Sequence, residues 1–128
     1  MAARWWLRRI LWIDGLGALA AATCLLAFRR FFEGLYDLPL NLVIVLGLVN
    51  LAYAALALTV AAQKPRRLAW LSSLSMANYF WALVCVLLLI RFYGEGSWFG
   101  LGHFALEGTW VAMLGTIEWR NRRELAVI

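Results

Sequence analysis

Asp37 to Lys64 reads DLPLNLVIVLGLVNLAYAALALTVAAQK, with no charged residue at the 26 positions between its two ends. A run of about 18 or more apolar residues is long enough to cross the hydrocarbon core of a bilayer as a helix. Working outward, Arg67 and Arg91 enclose 23 uncharged positions, and Glu95 and Glu118 enclose 22 positions broken only by Glu107. The first apolar stretch, Ile10 to Phe28, is broken only by Asp14. These segments predict helices over about 10–28, 40–62, 68–90 and 102–119.

Composition agrees with that solvent. Of 128 residues, 65% are hydrophobic and 15% charged, too few charges to cover a water-soluble domain of this size. The expectation is an all-α fold: one integral membrane domain over residues 1–128, a four-helix bundle with the lipid bilayer as its surroundings. Short connections make neighbours antiparallel and the order up-down-up-down. No repeat, linker or low-complexity segment divides the chain.

The net charge of +5 is distributed in short clusters at segment ends, which argues for topology and against nucleic acid as a partner. Arg4, Arg8, Arg9, Lys64, Arg66, Arg67, Arg120, Arg122 and Arg123 fall on one side. Arg29, Arg30 and Arg91 fall on the other. Basic connections stay cytoplasmic, so both termini are expected inside and the chain is expected to be multi-pass in an inner membrane. Ala20-Ala21-Ala22 offers small residues for signal cleavage, but Asp14 within the apolar stretch and Arg29-Arg30-Phe31-Phe32 after it favour a retained helix.

The connections carry their own signals. In Arg29 to Pro39, the residues Arg30, Glu33 and Asp37 recur at helical spacing with Phe31, Phe32, Leu35 and Tyr36 opposite, as in a short amphipathic turn on a membrane surface. Pro39 suits the start of the next helix. Gln63 to Arg67 is a tight turn. Arg91 to Leu101 holds three glycines among aromatic residues, which reads as a flexible connection anchored at the interface.

Projection at about 100° per residue places Asp14 on a stripe with Gly17, Ala18 and Ala21. Asn50 shares one with Gly47, Ala54, Ala57 and Ala61, and Asn78 with Ser75, Ala82 and Cys85. Small residues let membrane helices approach closely, so these polar groups are expected to face inward. In the last helix His103, Glu107 and Glu118 share one face, and Gly108, Ala112 and Gly115 form a separate packing seam toward a neighbour or a second copy.

By depth, Asn50 and Asn78 fall near the midplane, Glu107 slightly outward and His103 near the outer boundary, with Asp14 in the inner half. His103, Glu107, Asn50, Asn78 and Asp14 are therefore the candidate polar site. An intramembrane acid is costly and often functional. The competing reading for Glu107 is a carboxyl hydrogen-bonded to Asn78, Asn50 or a tryptophan N–H that holds the helices in register. Asp14 is expected to pair with Arg66 or Arg67, and Glu118 with Arg122. Cys24 and Cys85 are expected as two buried free thiols. One histidine without further ligands argues against a metal or haem. No phosphate loop, nucleophile elbow or catalytic triad occurs, so neither an enzyme nor a cofactor is expected.

Four helices in 128 residues, with the acid Asp14 in the first, make a plan that resembles small multidrug resistance transporters. The helix plan is also similar to DoxX-like membrane proteins. No other motif of either family is present, and the strong charge bias differs from the balanced charges of a dual-topology dimer. No functional residue is carried over.

The helix seam and the aromatic outer connections favour a protein that acts by helix packing, through self-association or as an accessory subunit beside another membrane protein. The alternative is a small proton-coupled transporter or channel, acting on a small molecule or ion through Glu107 with His103 and Asp14. An open, water-accessible cavity reaching Glu107 would favour transport, and a packed bundle with a dry core and an exposed apolar groove the subunit.

Overall fold

A computed structural model describes residues 5–128; Arg4, counted above among the basic residues, lies outside them. The described residues form six helices and no strand: α1 (Trp5–Ala27), α2 (Arg29–Tyr36), α3 (Leu40–Ala62), α4 (Leu68–Phe92), α5 (Trp98–Arg120) and α6 (Arg122–Leu125). Three of them, α1, α3 and α4, are long and apolar enough to cross a membrane. Helix α5 matches α1 and α3 at 23 residues, about 35 Å at 1.5 Å per residue, but His103, Glu107 and Glu118 lower its apolar content. The outward faces carry large apolar side chains such as Leu16, Leu48, Phe80, Leu87 and Ile90. Helices apolar all round belong in a core or in lipid.

The helices pack as two pairs, α1 with α3 and α4 with α5, and the pairs touch each other sparingly. Small residues explain the closeness within each pair. A Cβ on Gly15 would stand 3.2 Å from the Leu58 backbone nitrogen, and one on Gly47 2.7 Å from the Leu26 side chain. In the other pair, a Cβ on Gly108 would stand 3.1 Å from Cys85 Cβ, and one on Gly115 3.1 Å from Asn78 Cβ.

Two apolar clusters close the ends of the assembly. One gathers Leu7, Leu11, Val60, Leu71, Leu114 and Leu125, and the other Leu25, Tyr36, Leu38, Val43, Leu46 and Phe104. Helix α2 lies across the ends of α3 and α5, with Tyr36 buried and Arg29, Arg30 and Phe31 exposed.

The connection before α5 differs from the flexible stretch expected of its glycines. Ser97 caps α5 by accepting from the Gly100 N–H, so the helix starts at Trp98. The Ser97 hydroxyl also donates to the Leu35 carbonyl at 2.6 Å, and its N–H donates to the Tyr36 carbonyl at 2.8 Å. A Cβ on Gly100 would fall 2.7 Å from that Tyr36 oxygen. Glycine here permits a close approach that docks α2 on α5. At the opposite end, Arg66 is buried and donates to the carbonyls of Val60, Ala61, Leu125 and Ile128. It binds the turn after α3 to the segment around α6.

Candidate functional site

Between the two helix pairs lies a cavity of about 560 Å³. Each of the four long helices contributes polar groups to its wall: Asp14 from α1, Asn50 and Tyr53 from α3, Asn78 and Trp81 from α4, and Glu107 from α5. Most of the remaining wall is apolar or aromatic, including Gly17, Ala18, Phe80 and Trp110. The small-residue stripe of α1 leaves the space, and aromatic side chains of α4 and α5 border it. Volume and lining fall in the range of small-molecule sites.

The polar groups form two nodes. In the first, the Glu107 carboxyl bonds His103 Nε2 at 3.0 Å, one helical turn away, and His103 Nδ1 bonds the Tyr36 hydroxyl at 2.9 Å. Burial, and secondarily the Glu107 charge, push the Tyr36 phenol above its ordinary value, so the hydroxyl keeps its proton. The two ring nitrogens thus bridge a phenol hydroxyl and a carboxyl, with the donor and acceptor roles set by the imidazole tautomer. The chain Tyr36–His103–Glu107 connects α2 with the cavity wall.

Asn50 Nδ2 donates to the Leu46 carbonyl of its own helix at 2.9 Å, and its amide also interacts with the Glu107 carboxyl. The Trp81 Nε1–H lies in the field of that carboxyl but meets no hydrogen-bonding geometry, which leaves a buried free donor on a cavity-lining side chain.

The second node joins all four long helices. The Tyr53 hydroxyl donates to Asp14 Oδ2, and Asn78 Nδ2 donates to Glu118 Oε1 at 2.9 Å. The Glu118 carboxyl interacts directly with Asp14. Asp14 is 3% exposed, Asn78 1% and Glu118 0%, so these three side chains are almost fully buried beside the cavity.

The candidate residues Glu107, Asn50, Asn78 and Asp14 thus share one cavity, and His103 stands directly behind Glu107. Tyr36, Tyr53 and Trp81 were not singled out from sequence. Tyr53 falls three positions after Asn50, a helical spacing that placed it within reach of the same face.

Three expectations are corrected. Glu118 does not pair with Arg122: it is buried against Asn78, while Arg122 donates to the Trp119 carbonyl and stacks on the Trp119 ring. Asp14 does not pair with Arg66 or Arg67; its partners are Tyr53 and Glu118, and Arg66 is engaged by carbonyls. Of the expected packing seam, Gly108 and Gly115 meet Cys85, Asn78 and Ser75 of the neighbouring α4. Both cysteines are free as expected, but they are not alike, with Cys24 exposed and Cys85 buried. Among the described residues no three His, Cys, Asp or Glu side chains converge as metal ligands.

Compared with known protein families, curated proteins and solved structures, the chain matches none.

Proposed function

We propose that this is a small integral membrane carrier in which α1, α3, α4 and α5 cross the bilayer in alternating directions. The ends bearing Arg8, Arg9, Arg67 and Arg123 face the cytoplasm of a bacterial-type inner membrane, and α2 rests on the outer surface. In that frame the cavity lies at membrane depth and takes a small, largely apolar solute. Glu107 is the protonatable group that responds to it, and Tyr36 and His103 supply its proton route from the outer side.

The observation that carries this reading is the cavity between the two helix pairs, with apolar clusters toward either end of the assembly and a carboxyl on its wall. Rigid pairs separated by a polar-lined space are suited to alternate opening at either end. The accessory-subunit expectation drew on the α5 seam, and α4 already occupies that seam.

The test is reconstitution into phosphatidylethanolamine–phosphatidylglycerol vesicles holding a pH-sensitive dye. A panel of small apolar amines, alcohols and carboxylic acids is added, and tryptophan emission is read in parallel because Trp81 and Trp110 line the cavity. The expectation is proton movement elicited by at least one class, accompanied by an emission change. E107Q should abolish the proton movement and retain the emission change. A protein silent in both readouts across the panel would remove the carrier reading.

A further inference from the structure

We infer that Asp14 and Glu118 form a proton-binding site, distinct from Glu107, in which one proton held between the two carboxyls latches the α1–α3 pair to the α4–α5 pair. Three observations converge on it. The first is that two acids from opposite helix pairs interact directly while almost wholly buried. The second is that no cation neutralises them. Among the described residues, no Lys, Arg or His forms an ion pair with either carboxyl, and the buried Arg66 directs its donors to four carbonyls.

The third is a hydrogen-bond count with one vacancy. Asp14 Oδ2 accepts from Tyr53 and Glu118 Oε1 accepts from Asn78, but Glu118 Oε2 is buried without a partner. Buried carboxylate oxygens are rarely left unpaired. Two ionised carboxylates would also place like charges in contact in a medium of low dielectric. One proton resolves both problems. It turns one carboxyl into a donor to the other, completes the set around Glu118, and leaves Tyr53 and Asn78 donating to the outer oxygens.

The groups facing the pair from each neighbouring element fit this state. Helix α3 presents the Tyr53 hydroxyl, and α4 presents Asn78, which does not titrate. Tyr53 is thus the only other titratable side chain that the described contacts bring against the pair. The backbones of the two helix pairs stand apart and meet through side chains, so losing the proton converts a cross-pair hydrogen bond into a cross-pair repulsion. The site stands whether or not Glu107 carries a transported solute.

The test is infrared spectroscopy of the whole protein in lipid vesicles, in light and heavy water, across neutral pH. The expected result is a protonated-carboxyl carbonyl band that shifts in heavy water, persists in E107Q and is lost in both D14N and E118Q. The persistence in E107Q separates this site from the proposed carrier residue. A second readout is thermal unfolding: the wild type should lose stability as pH rises through the disappearance of the band, while E118Q, whose amide keeps a donor in place, should not. Should E118Q fail to fold, the wild-type and E107Q bands decide. No carboxyl band at neutral pH would overturn the inference, as would a band unchanged in D14N. Displacement of the band by sodium or lithium at constant pH would also overturn it, by identifying a metal cation as the occupant.

Discussion

Asn78 and Glu118, on neighbouring helices, are joined by a 2.9 Å hydrogen bond from Nδ2 to Oε1, and both side chains are almost fully buried. The bond lies beside Gly115, where a Cβ would come within 3.1 Å of Asn78 Cβ, so the helices are close enough for a short polar side chain to span them. N78A would leave Glu118 without its donor as well as opening a gap. A loss of about 1–3 kcal/mol is expected for an orphaned buried acceptor. N78D substitutes a third acid for that donor and should cost more. Thermal unfolding in mild detergent, followed by circular dichroism, ranks the wild type above N78A and N78A above N78D.

The tyrosine–histidine bond gives a pH-dependent outcome. Tyr36 ionises above its ordinary value because of burial first and the Glu107 charge second. A group whose folded value is raised stabilises the fold fully below its unfolded value, about 10 for tyrosine, and that contribution disappears as pH rises through the folded value. The wild type should therefore lose stability on the alkaline side of about pH 10. Y36F should remove the Tyr36 part of that loss and cost about 1 kcal/mol at neutral pH through the missing bond to His103. Melting curves of the two proteins from neutral to alkaline pH measure both effects.

What was legible in the sequence follows the range over which each signal acts. Apolar runs are contiguous, so helices and their membrane-compatible length can be read directly. The inward direction of Asp14, Asn50 and Asn78 depends only on helical phase within one segment. The misread features depend on distant contacts. Ser97 starts α5 and docks α2 through Leu35 and Tyr36, 62 positions away from Leu35. Glu118 has a local basic residue at the usual ion-pair spacing, and that spacing concealed a partner 40 positions away. The free donor of Trp81 and the role of Tyr53 depend on how the two pairs face each other, which no single-helix projection contains.

Glycine substitutions separate close approach from open space. A Cβ on Gly115 would meet Asn78 Cβ at 3.1 Å and the Ser75 carbonyl at 3.2 Å, whereas a Cβ on Gly17 meets nothing within 4 Å. G115A should push α4 and α5 apart at a cost of about 1–3 kcal/mol, the usual range for overpacking. G17A should be neutral or stabilise by up to about 1 kcal/mol, because alanine favours a helix interior over glycine. Since Gly17 lines the cavity, a G17A protein with full stability also serves to test solute binding: a bulkier wall should weaken any ligand that fills the space. Tryptophan-emission titration of wild type and G17A with whichever solute of the panel changes the wild-type emission measures that change.

Arg66 counts in the charge bias along with Arg67, but the two differ in what they touch. Arg67 is exposed, while Arg66 is 5% exposed and caps carbonyls in the last turn of α3 as well as those of Leu125 and Ile128. Its backbone N–H adds a bond to the Ala126 carbonyl at 2.9 Å. The planar fork of arginine reaches several acceptors at once, and a lysine ammonium cannot reproduce that geometry. Burial also lowers the guanidinium's affinity for its proton, a penalty that falls harder on lysine because its ordinary value is nearer neutrality, about 10.4. R66A is expected to release the segment around α6 from α4, and R66K to hold it incompletely. Limited trypsin digestion reads this directly, since Arg122 and Arg123 lie in that segment. Cleavage there should be fastest in R66A, intermediate in R66K and unchanged in R67A. Equal cleavage in R66A and the wild type would mean that the apolar burial of Leu125 holds the segment without the arginine.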